Sequence, residues 1–211
     1  MPLPSTIPVI VLAGCHVLPH ALLPLNIFEP RYRAMLEHAL AADRFMAVAT
    51  LKSADDEEWD ESDGNIEPYS CAGLIRACVG QPDGTSRLIL QGTGRIRFTG
   101  WSQREPFRIA TCEPVPTSIR DPETAGALAR LVLERTLSSL PPDSPVTRQY
   151  EKQFGMLTDP EIIADVVGYN FLKRASDRQP LLGMTCLEER LEHILACLRR
   201  APAPDEQQEP G

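Results

Sequence analysis

Residues 23–32 read Leu23-Pro24-Leu25-Asn26-Ile27-Phe28-Glu29-Pro30-Arg31-Tyr32, and here an extended chain turns into a helix. Pro19 and Pro24 bracket the extended part. Glu29-Pro30 opens the helix, because a proline at the first helical position has no N–H to leave unpaired and a φ already set for it. Tyr32, Met35, Leu36, Ala39 and Leu40 then recur at i, i+3, i+4, i+7 and i+8, one buried face.

Around this helix the first 116 residues read as short strands. Ile7–Leu12 and Phe45–Leu51 are apolar runs. Cys71–Val79 and Arg87–Gln91 flank Asp83-Gly84, a hairpin signal. Gly92 and Gly94 punctuate the chain before Arg95–Trp101, where Ile96 and Phe98 point one way and Arg95, Arg97 and Thr99 the other. Phe107–Val115 is the last strand. Strands at this spacing predict a small antiparallel barrel or sandwich.

Beyond Pro116 the pattern turns helical. Asp121-Pro122-Glu123, Ser144-Pro145 and Asp159-Pro160-Glu161 each place a capping side chain before a proline. Thr185-Cys186-Leu187-Glu188 reads as a capping box ahead of Leu187, Leu191, Ile194, Leu195 and Leu198. Arg199 and Arg200 close that helix with the sign its dipole favours. The predicted layout is a β-rich subdomain over 1–118, a helical subdomain over 119–200 and a disordered Pro-rich tail over 201–211.

Composition narrows the chemistry. The chain has 211 residues, 43% hydrophobic and 24% charged, which describes a globular protein rather than a disordered one. No uncharged apolar run reaches 18 residues, and Pro8–Leu25 reads as neither signal peptide nor anchor. Of the net charge of −8, −7 falls in residues 52–67, KSADDEEWDESDGNIE, which predicts a solvated acidic loop; Trp59 within it is a contact residue or a partly covered one. The nearly neutral remainder disfavours nucleic-acid binding. Six cysteines without a CxxC pair suit reduced thiols in the cytoplasm.

The three lysines, Lys52, Lys152 and Lys173, do not follow a glycine, so the sequence lacks the Gly-Lys-Ser/Thr with which a phosphate-binding loop holds a nucleotide. Gly92-Thr93-Gly94 lacks the third glycine of a dinucleotide fingerprint and reads as a turn between strands. No G-x-S-x-G elbow is present. Cys15, His16 and His20 lack a fourth metal ligand, and no cofactor or metal is expected.

The stretch Ile7-Pro8-Val9-Ile10 followed by residues 23–32 is similar to the opening of the Lon protease N-terminal domain, an apolar strand and then Leu-x-Ile-Phe-Glu-x-Arg-Tyr leading into a helix. Gly73-Leu74-Ile75, Leu88–Gly92, Arg95–Phe98, Asp159–Val167, Pro180-Leu181-Leu182 and Glu189-Arg190-Leu191 follow in the family's order, so that the likeness covers about residues 5 to 200. Cys15–His20 and the acidic loop depart from it. The resemblance implies an α+β fold, a PUA-like antiparallel pseudo-barrel with one inserted helix followed by a C-terminal helical bundle. It also implies a non-catalytic module without ATPase or protease parts, which binds unfolded or flexible polypeptides as a monomer or weak dimer and serves a protease or chaperone system. Pro24, Phe28, Glu29, Arg31 and Tyr32 match the family motif in a structural role, with Phe28 as a staple at the helix entry. Tyr32, Arg95, Trp101 and Phe107 are the candidates for a polypeptide-binding surface between barrel and helices. The alternatives are an RNA-binding module, since PUA-like barrels often bind RNA, and a small thiol or metal enzyme.

Overall fold

The computed structural model describes residues 2–52 and 63–200. Most of the acidic stretch, including Trp59, and the tail over 201–211 lie outside the described residues. The chain divides into two compact units, Met1–Thr117 and Ser118–Gly211.

In the first unit β1 (Thr6–Val11), β2 (Leu22–Ile27), α1 (Pro30–Ala41), β3 (Phe45–Ala49), β4 (Tyr69–Gly80), β5 (Ser86–Gln103) and β6 (Arg108–Pro114) follow in order. The strands form one sheet in the order β2-β5-β4-β3-β1-β6, and a further β5–β6 pairing closes it into a pseudo-barrel. Long β5 makes the closure. Its first part pairs with β2 through Leu22–Gln91 to Ile27–Ser86, and its last part with β6 through Ile96–Pro114 to Gln103–Ile109. The barrel is mixed rather than purely antiparallel. β1 and β3 run parallel, Val9 beside Ala47, because the connection between them contains β2 and α1 instead of a tight turn.

β1 and β3 show no alternation because both of their faces are covered. Ile7, Val9, Val11, Phe45, Ala47 and Ala49 meet Ala72, Ile96 and Ala110 in the barrel core. Ile10, Met46 and Val48 on the opposite face are also buried. α1 packs on β1 and β2 with Tyr32, Met35, Leu36 and Ala39 buried. Leu51 bridges Ile66, so the two ends of the acidic stretch are zipped together.

Gly92-Thr93-Gly94 is a bulge inside β5, not a turn between two strands. Ala72 pairs with Gly94 and Gly73 with Gly92, leaving Thr93 as the extra residue. Gly92 is required by close approach, since a Cβ there would sit 2.1 Å from the Leu18 carbonyl oxygen. Arg95 is buried rather than outward-facing, because the chain beyond β6 meets its guanidinium at the Pro116 carbonyl and Thr117.

The second unit holds α2 (Pro122–Ser138), α3 (Pro145–Phe154), α4 (Pro160–Phe171), α5 (Ala175–Gly183) and α6 (Leu187–Leu198). The start signals of α2, α3 and α4 act as read. Asp121 accepts from the Glu123 and Thr124 amides, Ser144 from Thr147 and Asp159 from Glu161, each beside a proline. α6 starts differently. Thr185 is not its cap, and the Glu188 carboxylate, which takes the Cys186 thiol on Oε2, reaches with Oε1 to accept from the Arg120 N–H (2.9 Å) and the Asp121 N–H (2.8 Å). Two part-buried amides of the α2 approach take this carboxylate. The core lies among α2, α4 and α6 and includes Val132, Val167, Leu187, Leu191 and Ile194.

Candidate functional site

The motif of residues 24–32 is a joint between strand and helix. Ile27 is buried, whereas Phe28 stands 61% exposed and does not staple the helix entry. Arg31 Nε donates to Glu29 Oε2 at 2.8 Å, and its guanidinium lies 4.4 Å over the Tyr32 ring. Tyr32 Oη donates to the Val11 carbonyl (3.1 Å) and accepts from the Val11 N–H (3.3 Å), tying α1 to the end of β1.

Tyr32 and Phe107 meet in one cavity of about 390 Å³, which Val9, Val11, Arg31, Arg104 and Arg108 also line. Phe107 is 8% exposed, with its ring 5.5 Å from that of His38. Trp101 stands beside this cavity. Its ring lies 4.9 Å from the Arg108 guanidinium carbon and 5.4 Å from the Phe98 ring. Asp63, from the acidic stretch, takes Arg104 at 2.5 Å and Arg108 at 2.8 Å. The hydrogen bond from Arg104, aided by Arg108, holds its carboxyl below the usual carboxylate range. Arg95 does not line the cavity; its Nη2 donates to Thr117 Oγ1 at 2.6 Å. The cavity thus gathers two of the four sequence candidates, with a third at its edge. Tyr32, Phe107 and Arg95 are buried and offer little area to a partner.

A larger apolar surface lies on β2, where the sequence drew no strand. Leu22 is 55% exposed and Val79, on β4, 60%. Pro24 stands opposite Ile89, and Ile89 opposite Ala77; Asn26 and Val79 both stand opposite Arg87. Directly opposed residues share a face, so Leu22, Pro24, Ile89, Ala77 and Val79 form an outward apolar strip interspersed with Gln91, Asn26 and Arg87. β2 ends the strand order, and its outer edge has no strand partner among the described residues. Pro24 is the signal that marked this strand, because proline within a sheet belongs on an edge.

None of the six cysteines is in a disulfide, and two thiols are shifted away from the nucleophilic thiolate. Burial raises the Cys112 thiol and, together with Asp177, pushes Cys197 up to about 11. His16 is buried with Nδ1 3.2 Å from the Gly14 carbonyl oxygen. Among the described residues no group of three His, Cys, Asp or Glu is placed to hold a metal ion, and no helix is long and apolar enough to cross a membrane.

Comparison with known proteins agrees with this architecture. Lon protease 1 of Thermus thermophilus is 27% identical over 197 residues, covering 92% of this chain and 24% of its own length. The Lon protease of Azorhizobium caulinodans is 23% identical over 194 residues, covering 92% of this chain and 22% of its own. The chain therefore spans about a quarter of the curated relatives it matches. Among solved structures, the N-terminal domain of a Mycobacterium avium complex Lon protease superposes with a TM-score of 0.69 at 18% identity, over 92% of this chain and 97% of that one. A Lon N-terminal domain protein from Xanthomonas campestris gives 0.64 at 20% identity, over 92% and 98%. The model of the ATP-dependent protease La (LON) substrate-binding domain matches residues 6–200, and on that match this chain belongs to the Lon substrate-binding domain family.

Proposed function

We propose that this chain holds non-native polypeptides by their apolar segments on the outward β2–β5–β4 strip and performs no chemistry on them itself. The observation that carries this reading is the strip. Leu22 and Val79 are each more than half exposed on a sheet whose end strand, β2, has a strand neighbour on one side only among the described residues. An unfolded segment offers backbone hydrogen bonds and scattered apolar side chains, and a sheet edge beside shallow apolar ground answers both. Phe28, just past β2, adds exposed aromatic surface. In this reading Tyr32 and Phe107 back the binding unit as rigid walls, Arg95 braces the barrel, and Trp101 is the half-buried candidate with ring area left for contact. A protease or chaperone that receives the held segment is the partner class this activity suits.

Titration of reduced, carboxymethylated α-lactalbumin against the chain, followed by fluorescence anisotropy, tests the proposal. Saturable binding to the unfolded protein and much weaker binding to its native form are expected. The Leu22→Asp/Val79→Asp variant should keep its circular dichroism and lose about tenfold or more in affinity, since apolar side chains that are about half exposed contribute on the order of 1 kcal/mol each when covered. Undiminished binding by that variant, or no binding to any unfolded protein, sinks the reading.

A further inference from the structure

The helical unit carries a second cavity, of about 480 Å³, that the polypeptide reading does not use. Its apolar wall comes from Leu140, Tyr150, Phe171 and Leu198. The Tyr150 and Phe171 rings meet edge to face at 4.9 Å, so this wall is rigid rather than a collapsed gap. Three cations, Lys173, Arg174 and Arg200, stand around it with one carboxylate, Asp177. Asp177 is committed, since Arg200 Nη1 lies 2.7 Å from its Oδ1. Neither Lys173 nor Arg174 makes an ion pair among the described residues. The lining therefore keeps two uncompensated positive charges on a chain whose net charge is −8.

From this we infer a binding site for a small amphiphilic carboxylate, an aliphatic or aromatic body carrying one anionic head. A cavity of this size, mostly apolar with a few charged groups at one side, is the general form of a small-molecule site. The apolar body would cover Tyr150, Phe171 and Leu198, while Lys173 and Arg174 meet the head. Both are exposed and free to turn toward it. Lys173 follows the C-terminus of α4, where a cation is also favoured by the helix dipole. That role predicts an effect on stability; the binding role predicts an effect on affinity.

Decanoate is the probe, with uncharged decanol as its control, and backbone amide shifts of the full chain as the readout. Saturable shifts at Lys173, Arg174 and Leu198 are expected, with decanol at least about tenfold weaker. The Lys173→Gln/Arg174→Gln variant should bind decanoate about tenfold more weakly, as two partly screened charges would require, with a melting temperature lowered only slightly by the loss of the Lys173 cation from the α4 terminus. Equal binding of decanol, full affinity in that variant, or shifts confined to the β-rich unit overturns the assignment. A blocked Phe-Glu-Phe peptide serves as the third arm. If it shifts the same amides at lower concentration than decanoate, the cavity is a polypeptide subsite and the small-carboxylate assignment fails.

Discussion

Tyr32 binds helix to strand through a single oxygen that both donates to and accepts from the backbone of Val11. Tyr32→Phe leaves two buried backbone groups without that partner, so the chain should lose about 1–3 kcal/mol by urea denaturation. Gly92 has a different reason to be what it is. Gly92→Ala places a methyl group 2.1 Å from a backbone oxygen that cannot swing aside, and it should cost about 1–3 kcal/mol or prevent accumulation of folded protein. The sequence shows the glycine but not the Leu18 carbonyl that requires it. Arg95 is similar. Period two placed it outward with Arg97, yet the chain beyond β6 meets its guanidinium there, at the Pro116 carbonyl and Thr117.

At the scale of the element, start signals were readable wherever they act within a few residues. Pro30, Pro122, Pro145 and Pro160 each stand at the first turn of a helix, as their chemistry requires. The approach to α6 was not readable, because Glu188 serves residues almost seventy positions away. Its carboxyl falls from 4.5 to about 2, chiefly through the Asp121 amide, with the Cys186 thiol and the Arg120 amide adding to it. The folded value is depressed, so the stabilisation is complete above pH 4.5 and is lost as pH falls from there toward 2. Glu188→Gln should flatten the acid limb of the stability–pH curve over that window; an unchanged limb counts against the assignment. Inside the same bundle Arg190, with no exposed surface, lies 2.8 Å from buried Asp165. Arg190→Met leaves that carboxylate behind and should destabilise by about 3–5 kcal/mol, while Arg190→Met/Asp165→Leu should recover most of the loss. Two elements escaped the sequence reading. β2 carries a proline, and α5 contains Pro180; in both, tertiary packing holds a segment that local propensity disfavours.

At the scale of the whole molecule, charge separates the possible roles. A nucleic-acid binder would lose affinity steeply with salt. Capture on an apolar strip should persist, and the affinity for unfolded α-lactalbumin should change by less than about threefold as ionic strength rises through the range where the Debye length drops below about 10 Å. A steep fall would assign the binding to charge instead of to the strip. The acidic stretch bears on this, since its described end, Asp63, already neutralises part of the arginine cluster beside the barrel cavity.

By itself the sequence determined most of the strands and helices, the proline-marked helix starts and the family, because these signals are local periods, caps and a short motif. Only the tertiary structure decided that Phe28 is bare, that Arg95 and Glu188 are committed inward, and that β2 sets exposed apolar side chains at the end of the described sheet. Those outcomes depend on register and on partners distant in the chain, where a bulge of one residue reverses every face beyond it.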